Sequence, residues 1–140
     1  MPVGPNELGF VCFAAVKLAG YTAAAWCLRR DYKKPDSNIW KIGAARTALG
    51  IAVGVSYGTA YFFMAKWFHS TDSSMWLFWV LLFPIRLGEW SLILWGFFER
   101  GSPRPSQLLR NAVLGTIWSY FLDFFGMLAA FVVPGSAWIC

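Results

Sequence analysis

Four long apolar runs constrain this chain more than any other feature of its sequence. They cover residues 8–28, 40–66, 75–98 and 108–133, and residues that start or stop helices bound each of them. At 1.5 Å per residue, about 20 residues cross the roughly 30 Å hydrocarbon core of a bilayer. We therefore predict an all-α integral membrane protein, a four-helix bundle with short loops, in a single transmembrane domain over residues 1–140.

The composition agrees with this prediction and excludes an ordinary soluble fold. Of the 140 residues, 58% are hydrophobic and only 14% are charged, against about 25% charged residues in an average soluble domain. Four spans of this length use nearly the whole chain. No room remains for a second, soluble domain.

Basic residues predict how the helices are oriented. They flank the first connection, as Arg29, Arg30, Lys33, Lys34 and Lys41, and the third, as Arg100, Arg104 and Arg110. By the positive-inside rule, loops 29–41 and 100–110 are cytoplasmic, and both termini lie on the outer side. The net charge of +5 then reflects topology and contact with membrane lipids, so we expect no nucleic-acid partner.

Several classes of site are excluded by the residues that a site would need. The chain has one histidine, His69, and it has no phosphate-binding glycine loop, no Gly-x-Ser-x-Gly elbow and no His-Glu-x-x-His pair. We therefore predict no metal and no cofactor. Catalytic residues cannot be assigned from the sequence, and whether the protein is an enzyme stays open.

Five ionisable residues inside the runs are the most informative feature for function, because charges in hydrocarbon are costly and usually face the bundle interior. Counted from the helix starts, Lys17, Arg86 and Asp123 lie about 10–16 Å from the outer boundary. Arg46 and Glu89 lie about 9–10 Å from the inner boundary. The sequence thus predicts two charged layers.

On the second helix, Arg46 shares a face with two tyrosines and three glycines, which are Tyr57, Tyr61, Gly50, Gly54 and Gly58. The four-residue glycine spacing predicts that another helix or subunit approaches this face closely. On the fourth helix, Asp123 shares a small polar face with Thr116, Ser119, Tyr120 and Gly126. We expect both faces to point inward.

The third helix carries the densest polar cluster. Glu89 and Trp90 follow Arg86 at i+3 and i+4, a spacing that favours an ion pair and a cation–π contact. Pro84 removes a backbone donor and frees a carbonyl near Val80. The pattern indicates a polar centre but no named reaction.

Two hypotheses for these charges stay open. In the first, they pair with one another, Asp123 with Lys17 or Arg86 and Glu89 with Arg46. In the second, an anion binds because three cations face only two carboxylates. Arg86 is then the residue best shaped for bidentate binding of a carboxylate or phosphate. The candidate ligand-binding residues are Arg86, Glu89, Asp123, Arg46, Lys17, Tyr57, Tyr61, Tyr120 and Trp90.

These hypotheses correspond to two functions. The favoured one is a small polytopic membrane protein that binds an anionic small molecule or lipid, for transport or membrane-embedded catalysis. The alternative is a noncatalytic accessory subunit of a larger membrane complex. Expected partners are membrane lipids and either further copies of the chain or other membrane subunits.

Overall fold

In the computed structural model, residues 7–67, 75–99 and 104–132 are described, and they form four α-helices. These are α1 (Glu7–Asp31), α2 (Ile39–Trp67), α3 (Met75–Phe97) and α4 (Pro105–Val132). No strand occurs in this part of the chain. The predicted all-α, four-helix fold is confirmed, and the helix bounds agree with the apolar runs to within three residues.

The end of α1 shows why it extends past residue 28. The amide of Lys34 donates to the carbonyl of Arg29 (3.2 Å) and that of Lys33 to Arg30 (3.2 Å), with Lys33 in the left-handed region at φ 52°. This pair of bonds is a Schellman motif, which satisfies the last carbonyls of a helix. The helix therefore continues through the basic residues that follow the apolar run.

The starts of α2 and α4 follow local sequence signals. Asn38 Oδ1 accepts hydrogen bonds from the amides of Trp40 (3.0 Å) and Lys41 (3.2 Å), so Asn38 is the N-cap of α2. Pro105 occupies the first position of α4, where its missing amide and fixed φ cost nothing. For this reason α4 begins three residues before the predicted start.

The helices form a ring in which α1 packs mainly on α2 and α3 mainly on α4, with smaller α1–α4 and α2–α3 contacts. Two contacts join the first and third connections: Tyr32 donates to Glu99 Oε1 (3.1 Å), and Lys34 Nζ donates to the carbonyl of Phe98. Both connections therefore lie at one end of the bundle, called the basic end below.

The distribution of side chains is inverted relative to a soluble protein. Among the residues whose side chains the structure describes, eleven polar or charged residues are buried, as many as the buried hydrophobic ones. The large exposed side chains include Phe62, Phe63, Leu92, Leu114, Phe121 and Phe124. An apolar exterior over a polar interior is consistent with a membrane protein. In the described residues, α1, α2 and α3 are long and apolar enough to span a bilayer, and α4 is not among them.

Close helix approach occurs at a different glycine from those predicted. A Cβ on Gly43 would lie 3.1 Å from both the Cα and the amide nitrogen of Thr22, so α1 and α2 meet backbone to backbone there. A Cβ on Gly58 would meet nothing within 4 Å among the described residues, and one on Gly50 would meet only the Arg46 guanidinium. Within the described residues, the closest α1–α2 approach therefore lies nearer the basic end than the predicted seam, and the approach of another subunit to Gly50, Gly54 and Gly58 stays a prediction.

Candidate functional site: a buried charged cluster

Asp123 of α4 binds two cations from two other helices. Arg86 Nη2 lies 2.6 Å from Asp123 Oδ2, and Lys17 Nζ forms an ion pair with Asp123 Oδ1. All three side chains are at most 3% exposed. One carboxylate in this layer thus faces two buried positive charges.

Arg46 of α2 and Glu89 of α3 form the second layer. Arg46 Nη2 lies 2.8 Å from Glu89 Oε2, at ion-pair distance but outside hydrogen-bond geometry. Arg46 is completely buried. The five predicted residues therefore meet in the two layers that the count of helical rise predicts, and the pairings are those of the first hypothesis.

Ser119 of α4 joins the two layers. Its Oγ accepts hydrogen bonds from Trp90 Nε1 (2.9 Å), Arg46 Nη2 (3.3 Å) and the Tyr21 hydroxyl (3.3 Å). Lys17 Nζ in turn donates to the Tyr21 oxygen (3.4 Å). A polar chain therefore runs from the Arg46 layer to the Lys17 layer.

Sequence reasoning missed Tyr21 and Ser119 as members of the site. Both carry a signal at helical spacing, since Tyr21 is four residues after Lys17 and Ser119 four residues before Asp123. Ser119 was expected on the polar face of the fourth helix, yet nothing local indicates that its oxygen meets three donors. That depends on how α2 and α3 rotate toward α4.

The ion pairs of Arg86 and Arg46 each join two different helices. Arg86 pairs with Asp123, and its guanidinium carbon lies 5.8 Å from the Tyr120 ring centroid. Arg46, instead, is the cation at Glu89 and lies 5.1 Å from the centroid of Trp90.

The three candidate tyrosines differ in what their hydroxyls contact. Tyr57 donates to the carbonyl of Phe78 (3.0 Å) and Tyr120 to that of Trp79 (2.8 Å), both on α3. Tyr61 has a buried hydroxyl with no hydrogen-bond partner in the described part of the chain. The hydroxyl protons of Tyr57 and Tyr120 are thus engaged with α3, and Tyr61, whose proton is not engaged, lies 15 residues from Arg46 on α2, about 22 Å along the helix.

Arg46 also has unused hydrogen-bonding capacity. Its Nε and Nη1 atoms are buried and have no hydrogen-bond partner among the described residues. A cavity of about 10 Å³, lined in part by Lys17, Tyr21, Thr47 and Gly50, lies between α1 and α2. That volume corresponds to about one water molecule, so the closed cluster has space for a very small species only.

A second group of polar side chains holds the basic end together. Asp31 accepts from Arg110 Nη2 (2.7 and 2.9 Å), Asn111 Nδ2 (2.8 Å) and Gln107 Nε2 (3.0 Å). These hydrogen bonds join the end of α1 to the start of α4. Nearby, burial and the neighbouring Glu99 carboxylate raise the pKa of Tyr32 to about 12.

The donor set of the cluster consists of amino, guanidinium, carboxylate and hydroxyl groups. In the described residues, no group of three or more His, Cys, Asp or Glu side chains is placed to hold a metal ion. The chemistry available is therefore ion pairing, hydrogen bonding and proton transfer at Asp123 or Glu89.

No family model, curated protein or solved structure matches this chain.

Proposed function

We propose that this chain is a polytopic membrane protein whose buried charged cluster binds an anion, either a small molecule or a lipid headgroup, for transport or membrane-embedded catalysis. Lys17, Arg46 and Arg86 bring three positive charges against the two carboxylates of Asp123 and Glu89. An unbalanced charge is costly to keep in hydrocarbon. An anion would remove the imbalance.

The observation that carries this proposal is Arg46. It is fully buried, it has one carboxylate partner, and two of its nitrogen atoms lack hydrogen-bond partners in the described residues. A guanidinium presents five N–H donors in a planar fork that matches carboxylate and phosphate groups. The cavity beside it is about one water in size, so an anion enters only if α1 and α2 separate.

The proposed topology goes with this function. All four helices cross the bilayer, the basic end faces the cytoplasm, and both termini lie outside. Glu89 or Asp123 would carry a proton if binding is coupled to transport.

A second function is favoured by a different observation. Both carboxylates are already paired, and Ser119 connects the two layers, so the cluster is close to self-sufficient. In this alternative the charges fix the register of the helices, and the chain is a noncatalytic accessory subunit whose exposed aromatic faces contact other subunits or further copies of itself.

Calorimetric titration of the protein in phosphatidylcholine nanodiscs distinguishes the two functions, with sodium acetate and inorganic phosphate as probes. We expect one of these anions to bind, and Arg46→Gln to weaken it about tenfold or more, since a charge-assisted hydrogen bond contributes about 1.5–3 kcal/mol. Lys41→Gln removes an exposed charge from the same helix and should leave the affinity unchanged.

Tyr61→Phe provides a second control that leaves every ion pair intact. It should change neither anion binding nor the melting temperature, because Tyr61 lies 15 residues from Arg46 on α2, about 22 Å along the helix, and the hydroxyl it removes has no partner in the described residues. If neither anion binds the wild-type protein, or if Lys41→Gln weakens binding as much as Arg46→Gln, the anion-binding function is wrong and the accessory subunit is favoured.

A further inference from the structure

A groove lies between α1 and α4, apart from the ion pairs of the charged layers. Its volume is about 560 Å³, within the range of roughly 300–1,000 Å³ that is usual for ligand sites. Its walls are apolar over most of their length and come from Ala23, Ala24, Cys27, Leu28, Leu114 and Gly115.

Small residues create the groove. Ala23 and Ala24 leave α1 flat, and Gly115 leaves α4 flat at the level of Trp90, which forms the inner wall. A Cβ on Gly115 would lie 2.6 Å from Trp90 Cε2, so glycine is required for the indole to lie there. The groove is thus fixed by the same tryptophan that donates to Ser119.

The two ends of the groove differ in polarity. Asp31, Arg110 and Asn111 line the basic end. Trp118 lines the other end, and its indole nitrogen donates to the carbonyl of Gly20 across the α1–α4 contact (3.0 Å). The groove is therefore polar at the end of the bundle and closed by an aromatic ring toward its middle.

The length of the groove matches half a bilayer. Ala23 and Asp31, which lie near its two ends, are eight residues apart on α1, or about 12 Å along the helix. One leaflet of hydrocarbon is about 15 Å thick. A chain that enters from the basic end would reach Trp118 within its own leaflet.

We propose that this groove binds one acyl chain of a phospholipid from the leaflet at the basic end, with the lipid phosphate at the exposed guanidinium of Arg110. Arg110 contacts Asp31 through Nη2 and Asn111 through Nε, which leaves donors of its guanidinium for a phosphate. Asp31 forms an ion pair with Arg110 and accepts hydrogen bonds from the amides of Gln107 and Asn111. The further basic residues of the first and third connections attract a phosphate to this end. The site is independent of the anion site proposed at Arg46.

Photo-crosslinking in nanodiscs tests the proposal. The probes are a phosphatidylglycerol with a photoreactive group on one acyl chain and a diacylglycerol with the same chain and no phosphate. We expect the phospholipid to crosslink mainly to residues 23–28 and 114–118, and the diacylglycerol to crosslink there at least fivefold less. The exposed ring of Phe62 lies on another helix and reports general contact with bulk lipid.

Matched variants separate the groove from the lipid-facing surface. Ala23→Trp fills the groove and should reduce its crosslinks at least tenfold, whereas Ala52→Trp, at an exposed alanine of α2, should leave them unchanged. Arg110→Gln should make the phospholipid behave like the diacylglycerol. The melting temperature of each variant in the same nanodiscs verifies folding.

Three results would overturn the proposal. In the first, crosslinks spread evenly over the groove and the Phe62 face, which is the pattern of bulk lipid. In the second, the diacylglycerol labels the groove as strongly as the phospholipid, which would mean that the protein does not recognise the phosphate. In the third, neither lipid labels residues 23–28 and 114–118.

Discussion

Ser119 and Asp123 lie one turn apart on α4, and together they bind side chains from each of the other three helices. Asp123 binds Lys17 and Arg86, and Ser119 accepts from Arg46 and Trp90. A single face of one helix thus organises both charged layers. Removal of a polar group from this face should therefore lower the stability of the protein more than the small size of the group suggests.

Ser119→Ala should destabilise the protein by about 1–3 kcal/mol, because it leaves the buried indole N–H of Trp90 and one donor of Arg46 without an acceptor. Thermal or denaturant unfolding in detergent measures the loss. Ser56→Ala is the matched control, since Ser56 is exposed and donates only to the carbonyl of Ala52 on its own helix. Equal, small effects of both variants would mean that Ser119 does not organise the cluster.

The pairing of Arg46 with Glu89 can be measured by a double-mutant cycle. Arg46→Met and Glu89→Leu should each destabilise by about 3–5 kcal/mol, because each leaves a buried charge alone, and the double variant should recover part of the loss. The coupling energy should exceed that of the cycle between Arg86→Met and Glu89→Leu, since Arg86 forms its ion pair with Asp123. A larger coupling energy between Arg86 and Glu89 would instead support the ion pair that their i, i+3 spacing predicts.

The helices and the two layers could be predicted because they depend on local information. Apolar runs, caps such as Asn38, and 1.5 Å of rise per residue fix which parts of the chain are helical and how deep Lys17, Arg46 and Asp123 lie. The relative rotation of the helices is not local. It decides that Arg46, and not Arg86, meets Trp90, and that Ser119 joins the layers.

The close approach of α1 to α2 and the groove between α1 and α4 could not be predicted from the sequence, for a physical reason. The glycine pattern on α2 favours a packed seam, but Gly43, outside that pattern, is the glycine against Thr22. The groove arises from small residues on two helices that are distant in sequence, Ala23 and Gly115. Neither feature can be derived until the α1–α2 and α1–α4 contacts are known.

Gly43→Leu should destabilise the protein, because its side chain would meet the backbone of Thr22, which cannot move without separating α1 from α2. Overpacking of this kind costs about 1–3 kcal/mol. Gly58→Leu is the control, since a Cβ there meets nothing within 4 Å among the described residues. Melting curves and size-exclusion profiles of both variants give the result. If Gly58→Leu instead dissociates an oligomer, the face of Gly58 is an interface between subunits.

Stability at alkaline pH should depend on Tyr32. Its pKa in the folded protein is raised to about 12 from the ordinary tyrosine value of 10.0, mainly by burial and further by Glu99. The folded state thus holds the phenol proton more tightly than the unfolded state does. The stabilisation is complete below pH 10 and is lost as the pH rises through about 12.

Unfolding measured between pH 8 and 12 on the wild type and Tyr32→Phe isolates this contribution, because lysines titrate equally in both. The stability difference between the two proteins should change only above about pH 10, where the tyrosine begins to ionise in the unfolded state. A difference that is constant over the whole range would show that Tyr32 is not held protonated by the fold.

Topology is the remaining expectation, and it also decides whether α4 spans the bilayer. In a cysteine-free background, Asp36→Cys should react with an impermeant maleimide only from the cytoplasmic side and Asp72→Cys only from the outside, because basic residues flank the first and third connections. Cys140, restored alone, reports the C-terminus. It should also react from outside, since Asp123 is paired with Lys17 and Arg86, which lowers the cost of burying the helix that carries it. Labelling of residues 36 and 140 from the same side would mean that only three helices cross, and labelling of residue 36 from outside would invert the orientation.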